Sequence, residues 1–142
     1  MVDDVLLNKC DTIERCLKRV ELVYGDRKDA LETDLDVQDV LVLNLQRACQ
    51  AAIDLAMHLV RRGALGLPQH SAEAFALLED AGIVDRTLAA RLKAMVGFRN
   101  VAVHQYQALD LAIVRSIIER GAADFRAFVT VALAWRPSAK EG

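Results

Sequence analysis

DVQDVLVLNLQRACQAAIDLAMHLVRR, residues 36–62, carries the strongest periodicity in the chain and decides its fold. Val37, Leu41, Leu45, Ala48, Ala52, Leu55, Ala56 and Leu59 recur at steps of three and four, the spacing that turns one stripe of an α-helix toward a core. Val40, Leu43, Ile53 and Val60 widen that stripe, so this helix is expected to be central and buried on more than one side. About 27 residues of helix reach roughly 40 Å. Gly63 is expected to stop it.

Along the other side Arg47, Gln50, Asp54 and His58 step by three or four as a narrow polar stripe. Two readings stand. The stripe is the wet face of the helix, or it lines a cleft in which Asp54, with Arg47 in support, pairs with Arg99 or orients His104. His58 by itself reads as a surface or packed histidine.

Further helices flank this one. Val2 to about Tyr24 is expected to be helical, with Val5, Ile13, Leu17, Val20 and Val23 among its apolar positions, Asp3 and Asp4 near its start, and Gly25 as its stop. Asp26 to Asp36 is a charged connection, with at most a short helical turn over 28–34. After the loop around Gly66 and Pro68, Ser71 is expected to cap a short helix to Ala81, closed by Gly82. Asp85 caps a helix carrying Leu88, Leu92, Met95, Val96 and Val103. Asp110 caps a last long one from Leu111 to about Trp135, with Val114, Ile117, Ile118, Phe125, Phe128, Val129 and Ala132 inward and Pro137 beyond. The polar tail from Arg136 to Gly142 is assigned nothing. The pattern predicts an all-α, antiparallel up-and-down bundle of four main helices plus a short one, a single domain over 1–142.

Composition agrees. Of the 142 residues 54% are hydrophobic but only 5% aromatic, and two prolines with seven glycines are too few for a sandwich of short strands. The net charge of −2 gives no global footprint for nucleic acid, so an RNA-binding role needs a local patch, for which Arg61, Arg62, Arg91, Lys93, Arg99 and Arg115 are candidates. Cys10, Cys16 and Cys49 lack the paired spacing of a zinc or redox site and read as free packed thiols. No signal sequence or membrane span is expected, and the chain reads as cytoplasmic.

Chemistry concentrates in Arg99-Asn100-Val101-Ala102-Val103-His104-Gln105-Tyr106. On a helix Asn100 and His104 lie within roughly 40° of each other, whereas Arg99 and His104 are about 140° apart, a gap only the long Arg stem can close. His104 and Tyr106 would share a side only if the helix ended near His104. Imidazole can take or give a proton at neutral pH, and guanidinium fits phosphate oxygens as a fork. Those types suit transfer at a phosphodiester, where RNA supplies its own 2′-hydroxyl and neither a metal nor a protein nucleophile is needed. Gly97, two residues before Arg99, leaves room for a helix or a substrate backbone. The same residues also suit an ordinary helix C-terminus, where cations complement the dipole and a Tyr packs as the chain emerges.

The stretch resembles the Arg-x4-His-x-Tyr motif of HepT-like proteins, a branch of the HEPN superfamily, through Arg99, His104 and Tyr106 with Asn100 after the Arg. Leu43 to Asp54 is similar to the second helix of that family. The resemblance implies the toxin of a toxin–antitoxin system, a metal-independent endoribonuclease working as a homodimer in which the Arg and His of two subunits share a cleft. It implies His104 as acid or base, Arg99 as phosphate binder and Asn100 in support, with no cofactor and with tRNA or mRNA as the RNA. It also implies an MntA-like minimal nucleotidyltransferase antitoxin that attaches AMP to Tyr106, a residue otherwise read as stacking on a base or packing. The alternative is a non-catalytic HEPN interaction module that binds a nucleotidyltransferase or a nucleotide.

Overall fold

The computed structural model describes residues 3–137, and within them every regular element is helical. Helix α1 (Asp4–Gly25) starts at Asp3, whose carboxylate accepts from the Leu6 amide at 3.1 Å. A single turn, α2 (Ala30–Thr33), leads to Asp34, which caps α3 (Leu35–Gly63) by accepting from the Asp36 and Val37 amides. The remaining helices are α4 (Ser71–Asp80), α5 (Arg86–His104), α6 (Leu111–Ser116) and α7 (Ala122–Ala134). No helix among the described residues is long and apolar enough to cross a membrane.

The broad apolar band of α3 has its reason in the packing: α3 touches α1, α2, α4, α5 and α7. Leu41, Leu45, Leu55 and Leu59 are fully enclosed there. Phe75 of α4 meets Phe128 of α7 edge to face, ring centres 5.6 Å apart, and Phe125 lies beside them in the same core. The antiparallel bundle expected from the periodicity is therefore the fold.

Local details depart from expectation at three points. Gly63 is the last residue of α3 rather than its left-handed stop: Ala64 takes that conformation, at φ 52°, and Gly63 instead leaves space for Leu65 and Trp135, which a Cβ would meet at 3.0–3.1 Å. Ser71 does not cap α4. His70 holds the capping position, while Glu73 reaches back to accept from the Gln69 amide at 2.8 Å. The long last helix is broken by a π turn over Ile117–Gly121, which buries Ile118 and Gly121 between α6 and α7. Tyr24 of α1 donates to Glu119 within that turn, and Arg115 of α6 donates to the same hydroxyl at 2.6 Å.

Candidate active site

Helix α5 ends where its chemistry begins. Asp85 caps its start by accepting from Leu88 at 2.7 Å, and Leu92, Met95, Val96, Phe98 and Ala102 hold it to the core. At Gln105 the backbone leaves helical space while its N–H still reaches Val101 at 2.8 Å. A tight 3-10 turn, Tyr106–Ala108, then runs to Asp110, the cap of α6. Every residue from Val103 to Ala108 is exposed. The helix ends at His104, as expected, but the chain then enters a 3-10 turn rather than an extended segment, and Tyr106 bonds Asp39 instead of facing His104.

Arg99 is half-buried. Its Nη1 donates to Asn100 Oδ1 at 3.1 Å, and its Nε is enclosed with no acceptor among the described residues. Orphaned buried donors are uncommon, and this one is closed off from solvent, so an oxyanion could meet Arg99 only through its terminal nitrogens. Cys49 of α3 lies near enough to feel its charge; burial pushes that thiol up to about 12 despite the cation. His104 stands exposed, and no hydrogen bond among the described residues holds its ring.

Tyr106 is tethered. Its hydroxyl donates to Asp39 Oδ1 of α3 at 2.5 Å, and partial burial together with that carboxylate pushes the phenol up to about 12. Asp39 was not visible as a site residue in the sequence. It lies 67 positions from Tyr106, and no local pattern joins them.

The polar stripe on α3 goes elsewhere. Asp54 accepts from Lys9 of α1 at 3.2 Å and from Gln50 at 2.9 Å, so it faces α1 rather than Arg99 or His104. His58 binds Asp3 at 2.8 Å and anchors the start of α1. Arg47 is exposed. The stripe is neither a plain wet face nor a wall of the α5 cleft; Asp54 and His58 make it a seam between α3 and α1.

The candidate basic patch is largely spoken for within the chain. Arg62 pairs with Asp3, Arg91 with Asp124 at 3.2 Å, Lys93 with Glu79 at 3.8 Å and Arg115 with Glu32. Beside the motif, between α5 and α6, an open groove of about 660 Å³ is lined by Met95, Gly97, Phe98, Val101, Leu109 and Ile113. Among the described residues no group of three or more His, Cys, Asp or Glu is placed to hold a metal.

An exposed imidazole and a half-buried guanidinium bonded to the neighbouring Asn100 amide suit the handling of a phosphodiester, and the family model for ribonuclease HepT-like proteins matches residues 13–132. The chain belongs to that family. It is 44% identical over 130 residues to the mRNA nuclease HepT of Shewanella oneidensis, an alignment covering 92% of this chain and 97% of that one. Its fold matches, with a TM-score of 0.89 and 43% identity, the tri-AMPylated HEPN toxin of Shewanella oneidensis solved in complex with an MNT antitoxin. A toxin–antitoxin complex solved with AMP-PNP matches equally well, again covering 94% of this chain and the whole of the other. The family's span includes both the α3 segment and the α5 motif.

Proposed function

We propose that this chain is the toxin of a toxin–antitoxin pair, a cytoplasmic endoribonuclease that cleaves RNA at a site built from Arg99, Asn100 and His104. The observation that carries the reading is the open end of α5: the motif is intact, with Asn100, His104 and Tyr106 exposed and Arg99 half-buried, in a chain 44% identical to an mRNA nuclease over almost its whole length. Cleavage joins the RNA 2′-oxygen to the neighbouring phosphorus and breaks the bond to the 5′-oxygen. A proton must leave the 2′-hydroxyl and another must reach the 5′-oxygen, while negative charge grows on the phosphoryl oxygens. Arg99 answers that charge with its guanidinium. His104 handles a proton.

Two proton transfers ask for two groups, and each chain presents one exposed motif imidazole. A second copy of the chain, set against the open end of α5, would supply the other, and the homodimer is the working unit in this reading. The antitoxin is an MntA-like minimal nucleotidyltransferase that attaches AMP to Tyr106. AMP there adds bulk and negative charge two residues from His104, repelling an RNA phosphate from the cleft. The internal pairing of Arg62, Arg91, Lys93 and Arg115 favours a second reading, a HEPN module that binds a nucleotidyltransferase without cutting RNA.

Induced expression separates the two. Wild type should arrest growth, whereas His104→Ala should not, with cleavage of RNA in vitro reduced by about 10²- to 10⁴-fold and an unchanged melting midpoint. Co-expression with the nucleotidyltransferase should restore growth and add whole AMP units to wild type, none to Tyr106→Phe, by intact mass. Equal harmlessness of wild type and His104→Ala, with no RNA cut, would favour the binding module.

A further inference from the structure

We propose that Asp39 is the base that takes the Tyr106 proton when AMP is transferred to the phenolic oxygen. The inference rests on the toxin reading above. Asp39 lies near the start of α3 between buried Val37 and Leu41 but is itself exposed, and its Oδ1 accepts from the Tyr106 hydroxyl at 2.5 Å.

A neutral phenol is a weak nucleophile, and its ordinary pKa is near 10. Here the phenol is pushed up to about 12, so free phenolate is scarce at neutral pH. Attack must then proceed with the proton leaving as the new bond forms. Asp39 is the acceptor already in line with that proton, and its exposure lets it pass the proton on to water. In the step itself the Tyr106 oxygen bonds to the α-phosphorus of a nucleoside triphosphate held by the nucleotidyltransferase. The bond from that phosphorus to the α–β bridging oxygen breaks, pyrophosphate leaves, and the phenolic proton goes to the Asp39 carboxylate.

The same contact has a second consequence. Once the oxygen carries AMP it has no proton to donate, and a phosphodiester charge faces the Asp39 carboxylate. The tether between α3 and the turn after α5 is lost, so the transfer is coupled to release of the Gln105–Leu109 segment from Asp39.

The test uses the full-length chain with the nucleotidyltransferase, ATP and magnesium, following AMP addition by intact mass. Asp39→Asn preserves shape and a hydrogen-bonding group but cannot accept the proton. It should lower kcat for AMP transfer by about 10²-fold or more with KM nearly unchanged, and Asp39→Glu should recover part of the loss. Circular dichroism and melting of both variants should match wild type, since Asp39 is exposed. If Asp39→Asn is modified as fast as wild type, or if only KM changes, the base assignment is overturned while the toxin reading stands. If wild type itself accepts no AMP at Tyr106, the base assignment falls together with the AMP-transfer step, while growth arrest and RNA cleavage by wild type decide the toxin reading separately.

Discussion

The seam between α1 and its neighbours and the open end of α5 are built from the same kinds of residues to opposite effect. Along the seam, charged groups find each other: Lys9 with Asp54, His58 and Arg62 with Asp3, and Arg126 of α7 with both Glu14 and Glu21. The Arg126 guanidinium is held charged more firmly still by those two carboxylates. At the end of α5, Arg99 keeps an enclosed Nε without an acceptor, and Val103 to Ala108 lie in solvent. One region is complete within a single chain. The other is open, and in the reading proposed above it is completed by an RNA phosphate or a second copy.

The contrast is broken most severely from the core. Phe128 is wholly buried against Phe75, and Phe128→Ala leaves a cavity expected to cost ~3–5 kcal/mol. Native domains hold only about 5–15 kcal/mol, so the urea midpoint should fall steeply and activity should go with it. His104→Ala, by contrast, should lose activity with no change of midpoint. Were the two variants equally destabilised, the division between scaffold and site would be wrong.

A subtler break uses pH. Burial pulls the Asp3 carboxyl up, but hydrogen bonds from His58, the Leu6 amide and Arg62 outweigh it and hold the group well below the usual carboxylate range. A depressed folded pKa stabilises the fold fully above the unfolded value near 3.9, and the contribution is lost as pH falls through the folded value. Asp3→Asn keeps a capping side chain and removes the charge. It should cost ~1–2 kcal/mol at pH 7, and its gap to wild type in chemical unfolding should narrow below about pH 4. A gap of the same size at pH 7 and pH 3 would show that the charge contributes nothing.

The residues that were legible in advance are those whose partners lie close in sequence. Asp85 and Asp110 cap the helices they precede, because an N-cap bonds an amide two or three residues on. The i to i+3 and i+4 stripe of α3 reads directly as burial on several sides. Asn100 beside Arg99 and the stop at His104 belong to the same short range. What escaped were pairings set by the fold: Asp39 with Tyr106, Asp54 with Lys9, and the carboxylates that absorb most of the candidate basic patch. The π turn at Ile117–Gly121 also escaped, because an extra residue in one turn barely disturbs the spacing of Val114, Ile118 and Phe125.

The smallest substitution sharpens the comparison furthest. Gly97 sits mid-helix in α5, two residues before Arg99, and a Cβ there would meet nothing within 4 Å. At Gly121, on the opposite wall of the groove, a Cβ would come within 2.8 Å of Met95 Cε. For the isolated chain Gly97→Ala should therefore be favourable by ~0.5–1 kcal/mol, because alanine loses less backbone freedom in a helix interior. If the space over Gly97 stays empty in the working enzyme, the variant should melt higher and cut RNA as well as wild type. If a second copy or an RNA backbone approaches there, the added methyl should raise the melting midpoint of the chain and lower cleavage at the same time. That opposite movement of stability and activity is the expected outcome, because the exposed face of α5 at Gly97 opens on the same groove that Val101 and Leu109 line at the end of the helix.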